Sequence, residues 1–146
     1  MRLCGLALVL IALAGAASAK KRNAFATIHY EGTADDDAYV LGIRTLIASV
    51  RSVGNTEDFL CLLAPSVSQS TRELLTKDGC ICRDVTNIEN PYVDHVKKHF
   101  TWTLNKLHLW NQVDYDRVVY MDADNIALKK LDTLFHCGHF LSLIHI

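Results

Sequence analysis

Short apolar β-type runs alternate with helix-period segments along most of this 146-residue chain, and that alternation limits what it can fold into. AFATIH (24–29) is brief and β-branched, and reads as a strand. From Ala38 the period changes. Tyr39, Ile43, Leu46, Val50 and Val53 recur at three- and four-residue steps, with Val40 and Ile47 widening the stripe. That is one face of an amphipathic helix. Acids at 35–37 suit its N-terminus and Gly54-Asn55 ends it. DFLCLLA (58–64) is a continuous apolar run of the kind buried on both faces, stopped by Pro65. Ser66 and Gln69 have capping-box spacing for a second helix over about 67–77, closed by Asp78-Gly79. ICRDV (81–85) predicts a third strand and 86–99 a polar loop. TWTLNKLHLWNQV (101–113) predicts a third helix, and RVVYM (117–121) a fourth strand. The order β-α-β-α-β-loop-α-β argues for an α/β fold, a mainly parallel sheet with helices on both faces. Such sheets bind ligands beyond the carboxyl ends of their strands.

One such end carries chemistry. RVVYM runs directly into DADN, which places Asp122 and Asp124 one residue apart. Carboxylate oxygens are hard ligands suited to Mg²⁺ and Mn²⁺, which also take phosphate oxygens and water. A cation there would neutralise charge building on a departing phosphate. D-x-D alone is a weak signal, since a solvated turn has the same three residues. The apolar strand before it strengthens the metal reading.

Bulk properties exclude other classes. Half the residues are apolar, 21% are charged and the net charge is -1. That is globular, with no basic footprint for nucleic acid. Residues 1–19, MRLCGLALVLIALAGAASA, have the basic start, apolar core and A-x-A end of a secretory signal peptide. With it removed, no span of the membrane is expected. The secretory pathway, Golgi lumen or extracellular space follows, and disulfides are permitted there. Cys61, Cys80, Cys82 and Cys137 allow three pairings, and spacing does not choose among them. Cys80-Ile-Cys82 is too tight for a zinc knuckle. His95 and His99 read as a solvated face, and His108 as packed against its neighbours. The final six residues, LSLIHI (141–146), match the translation of a sequencing-library adapter, so the natural protein is expected to continue past Phe140.

Taken together, AFATIH, DDDAYVLGIRTLIASVR, FLCLLAPSVSQSTRELLTKDG and FTWTLNKLHLWNQVDYDRVVYMDADNIALKKLDTLF resemble the N-terminal half of glycosyltransferase family 8. The likeness is to its glycogenin-like and plant glucuronosyltransferase-like members, over about residues 24–140. Its most specific block is T-x-x-K-L-x-x-W followed by Y-x-x-V-V-Y-M-D-A-D. The resemblance implies a GT-A fold, a UDP-sugar donor, a Mn²⁺ (or Mg²⁺) cofactor and transfer with retention to a hydroxyl of a glycan, protein or lipid acceptor. By position, Asp122 and Asp124 match the metal ligands, with Ala123 between them. Lys106 matches a catalytic lysine that reaches the donor. Thr27 and Ile28 match residues beside the uracil and ribose, and Tyr39 a tyrosine that stacks on the base. The loop HYEGTADDD is longer than in glycogenin. The family's N-S-G, D-Q-G and H-x-x-G-x-x-K-P-W blocks are absent, and the last of them supplies a third metal ligand. The chain as it stands is therefore expected to be inactive alone. The alternative is a carbohydrate- or protein-binding module that kept the fold and lost the reaction.

Overall fold

A computed structural model of the chain describes residues 22–91 and 102–138. The signal segment, His95, His99 and residues 141–146 lie outside them. Four strands form one all-parallel sheet: β1 (Asn23–His29), β2 (Asp58–Leu63), β3 (Ile81–Asp84) and β4 (Arg117–Tyr120). The order across the sheet is β3-β2-β1-β4. From β1 the chain moves outward twice in one direction, then returns to the other side of β1 for β4. The topological switch point therefore lies between β1 and β4.

Two α-helices connect the first three strands, α1 (Asp36–Ser52) and α2 (Gln69–Lys77). Successive right-handed crossovers in one direction put both helices on one face. The core agrees. Phe25, Phe59, Cys61 and Leu63 alternate along their strands and meet Ile43, Leu46, Ile47 and Val50 of α1 and Leu75 of α2. The opposite face is smaller: Ala24, Ala26 and Leu60 pack on Tyr115, with Leu109 and Val118 beside them. The predicted helices on both faces are present, but the second face is covered by a 3₁₀ segment, Thr103–Asn111, and not by the α-helix expected over 101–113. The predicted leucine stripe does not become a buried face, for Leu107 is 52% and Trp110 65% exposed. Asn105 is the buried residue of the segment. Its amide oxygen accepts the Ile88 backbone N–H at 2.7 Å and its NH₂ donates to Asn87 at 3.0 Å. A buried amide held on both sides fixes the segment to the loop after β3, and that outweighs helical periodicity.

Two capping expectations change. Helix α2 is capped by Ser68, whose Oγ accepts Thr71 N–H, and not by Ser66. Ser66 Oγ instead accepts the Glu31 N–H. The Glu31 carboxylate crosses from the loop after β1 to accept Ser68 N–H and the hydroxyls of Ser68 and Thr71. Burial works against its charge, but these hydrogen bonds at a helix N-terminus win and lower its pKa. The acids before α1 also act on the loop. Asp36 accepts the N–H groups of Gly32 and Thr33 and the Thr33 hydroxyl, while Asp35 makes no side-chain cap bond. Gly54 and Gly79, just past the two helices, have φ of 87° and 91°, the left-handed conformation that closes a helix. A second 3₁₀ turn, Asp132–His136, was not foreseen. It sets Phe135 edge-on to Phe25, with ring centroids 5.0 Å apart.

Of the three possible pairings, the fold bridges Cys61 on β2 to Cys80 just before β3, leaving Cys82 and Cys137 free. A loop of this size is worth about 3 kcal/mol in the chain-entropy account. Among the described residues no helix is long and apolar enough to cross a membrane.

The amino ends of the strands are held by a charged clasp. Tyr115 OH donates to Asp58 at 2.7 Å, Arg22 donates to the same oxygen at 2.9 Å, and the guanidinium groups of Arg22 and Arg83 lie 4.7 and 5.3 Å from the Tyr115 ring centroid. Arg83 also grips Asp114 with two nitrogens and holds its carboxyl at a pKa of about 2. Hydrogen bonds from Tyr115 and then Arg22 lower the pKa of Asp58 against the opposing effect of burial. A lowered folded pKa gives stability that is full above the unfolded value and lost as pH falls through the folded one. Tyr115→Phe is expected to cost about 1.5 kcal/mol at pH 7. Paired thermal melts should show that cost constant down to about pH 4 and narrowing below it. A gap that stays constant into strong acid would show that Asp58 is not the partner that matters.

Candidate active site

The carboxyl ends of β1 and β4 form the site. Ala26 pairs with Tyr120, and Met121 N–H donates to Ala26 O at 2.9 Å. Beyond that rung the strands part. β1 continues through Thr27, Ile28 and His29 to Tyr30. β4 turns sharply, with Asn125 N–H donating to Asp122 O at 3.1 Å. The turn carries Asp122 and Asp124 into solvent.

Strand geometry explains the local chemistry. Tyr120 and Asp122 are two residues apart and share a side of the chain. The Tyr120 hydroxyl donates to Asp122 Oδ1 at 2.5 Å. Lys106, from the 3₁₀ segment, reaches the same oxygen at 2.9 Å and lies 4.8 Å from the centre of the Tyr120 ring. Burial disfavours the Asp122 charge, but the hydrogen bonds from Lys106 and Tyr120 outweigh it and the pKa is lowered. Tyr120 is driven the other way, first by burial and then by its bond to Asp122. Tyr30 is half-buried, and its pKa is raised by burial, then by Tyr39 and Asp122. Tyr30 thus shares with Tyr120 the field of the acid. Asp124 is exposed and makes no hydrogen bond among the described residues.

The residues singled out by sequence are brought together unevenly. Lys106 and Asp122 are in contact. Tyr39 is 55% exposed at the start of α1, so it stands outside the helix core. Ile28 is half-buried, whereas Thr27 is fully buried and its hydroxyl has no partner among the described residues. Ala123 is partly buried against the α1 face of the core. His108 directs Nε2 at Thr86 O, 2.7 Å away, which is a packing role. His29 is buried beside Glu31, and burial lowers its pKa.

Sequence reasoning assigned no role to Tyr30, Tyr120 or Gly42. The two tyrosines were legible through i, i+2 spacing, to Ile28 and to Asp122. Gly42 was legible as a lone glycine inside a helical pattern, which usually has a packing reason. A Cβ on Gly42 would stand 2.8 Å from the Ala123 carbonyl oxygen. Helix α1 and the turn after it then follow the chain onward: Ala127 N–H donates to Ser49 Oγ and Leu131 N–H to Asn55 Oδ1, each at 3.0 Å.

The donor set fits a hard divalent cation in part. Two exposed carboxylates at a strand end match the way Mg²⁺ is held by one or two acids, with phosphate and water completing its shell. No cluster of three His, Cys, Asp or Glu suited to a metal occurs among the described residues. A surface cleft of about 360 Å³ between the end of β3 and His108 does not include Asp122 or Asp124.

A four-stranded parallel sheet flanked by helices, with an acid pair beyond its switch point, defines an α/β protein of the Rossmann-like GT-A class. No protein-family model matches the chain. It is 40% identical over 125 residues to PGSIP8 of Arabidopsis thaliana, named as a glucuronosyltransferase, covering 84% of this chain and 25% of that protein. Inositol phosphorylceramide glucuronosyltransferase 1 of the same plant is 36% identical over 92% of this chain and 24% of its own length. UDP-glucuronate:xylan alpha-glucuronosyltransferase 1, also from Arabidopsis thaliana, is 32% identical over 79% and 17%. The chain belongs to glycosyltransferase family 8, alongside its plant glucuronosyltransferases. It spans about a quarter of the length of the curated relatives it matches.

If α1 sets the position of the acid turn, Gly42→Ala must push Ala123 aside. Overpacking of about 1–3 kcal/mol, partly offset by the better helix propensity of alanine, predicts a modestly lower Tm. An unchanged Tm would show that α1 does not position the turn.

Proposed function

We propose that this chain forms the donor-binding part of a glycosyltransferase that moves a sugar from a UDP-sugar to a hydroxyl on a glycan, protein or lipid, with retention and with Mn²⁺ or Mg²⁺. Glucuronate is the favoured sugar, because the relatives are named for it. The observation that carries the reading is the meeting of Lys106, Tyr120 and Asp122 at the β1–β4 switch point.

Asp122 and Asp124 would hold the cation, which supplies positive charge against the diphosphate leaving group. Lys106 adds a second positive charge on the same side, where negative charge grows as the sugar leaves. The Tyr39 ring, exposed at the start of α1, offers a face for the base. Thr27 and Ile28, near the end of β1, would lie beside the uracil and ribose. Tyr120 holds Asp122 in one rotamer, so the acid does not have to be ordered when the ligand arrives. The secretory pathway is the proposed location, consistent with the Cys61–Cys80 bridge.

Calorimetric titration of UDP into the chain tests this. Binding is expected only with Mn²⁺ or Mg²⁺ present. Asp122→Asn with Asp124→Asn should weaken it by more than about tenfold, or ~1.4 kcal/mol. Equal UDP binding by the double variant would remove the metal site from the reading.

A further inference from the structure

Lys106 stands where a cation is needed. Its ammonium and the Tyr120 hydroxyl both fall on Asp122 Oδ1, at 2.9 and 2.5 Å. A carboxylate oxygen has two lone pairs, and both are taken. The ammonium also sits 4.8 Å from the centre of the Tyr120 ring, on its electron-rich face. The lysine is thus held by two partners on β4 and its turn. Yet the side chains of Lys106 and Asp122 are 40% and 54% exposed, so among the described residues the pair is not enclosed and the lysine is free to leave.

We propose that Lys106 is a stand-in cation, which neutralises Asp122 until a divalent ion displaces it and frees its ammonium for the anionic donor. This deepens the transferase reading and rests on it. A divalent ion on either oxygen of Asp122 stands close to the ammonium, and the two positive charges repel. The neutral Tyr120 hydroxyl suits either arrangement. Two consequences follow. The divalent ion alone binds weakly, because it competes with a tethered charge. A diphosphate helps it bind by giving the displaced ammonium a new partner, so cation and nucleotide each strengthen the other by the same factor.

The test is a Mn²⁺ titration followed by electron paramagnetic resonance of the free ion, with and without saturating UDP. Lys106→Met keeps the apolar stem and removes the charge, and Lys106→Gln serves as a second, polar variant. Both are expected to bind Mn²⁺ alone about 5-fold more tightly than the wild type, the equivalent of a strong exposed ion pair. Both should also lose most of the gain that UDP confers. Mn²⁺ binding equal to or weaker than wild type in both variants would overturn the proposal. The Asp122→Asn, Asp124→Asn chain separates the two ideas. If it binds Mn²⁺ like the wild type, the metal reading fails and the stand-in fails with it. If it loses Mn²⁺ while the lysine variants match wild type, only the stand-in is refuted.

Discussion

The pairing of β4 with β1 is the constraint on which the site depends. Four rungs, from Asn23 with Arg117 to Ala26 with Tyr120, set how far each strand extends before the two diverge. A shift of one residue would turn Tyr120 and Asp122 to the opposite side and take Asp122 away from Lys106. The register is protected from below by Arg22 and Tyr115, whose bonds to Asp58 and Asp116 tie the starts of β1, β2 and β4 together. It is protected from above by the buried alternation of Phe25, Phe59 and Phe135. The clasp lies at the opposite end of the sheet from the acid pair. Its effect is felt at the far end of the sheet, where the acids emerge.

Helix α1 performs a second alignment. Gly42 and Ser49 lie along it and Asn55 lies just past its end, and each meets a successive part of the chain that leaves β4, at Ala123, Ala127 and Leu131. The absence of a side chain at Gly42 admits the carbonyl, while Ser49 and Asn55 satisfy backbone N–H groups that would otherwise be costly to bury. The loop between β1 and α1 is ordered in a related way. Its acids look like a surplus of negative charge, but Glu31 and Asp36 are committed to N–H and hydroxyl donors. The site's floor is therefore shaped before any ligand arrives.

The sequence was most legible where burial is periodic. The four strands, α1 and α2 follow from apolar spacing, and the acid pair follows from an apolar strand that ends in DAD. It was least legible where a polar side chain bonds across a long sequence gap. Asn105 converts a predicted α-helix into a 3₁₀ segment through partners 17 and 18 residues away. Glu31 assists the cap of a helix from another loop, and Ser68 displaces the Ser66 expected from a local motif. Lys106 and the acids were named from their likeness to a family. Their meeting on one oxygen depends on tertiary geometry, which no local pattern encodes. The Tyr39 stripe position shows the opposite limit, since helical spacing assigned it to the core and the helix end leaves it exposed.

The Cys61–Cys80 bridge gives the sheet two unequal halves. On one side β2 and the approach to β3 are joined covalently, and β2 pairs with β1 over six rungs. On the other side β4 is attached to β1 by four rungs, with no bridge among the described residues. Local openings of a protein follow its least-tied units. The seam that carries Asp122 is thus the more pliant edge of a stapled sheet, and the chain can breathe at its acids while the half beneath α2 stays closed.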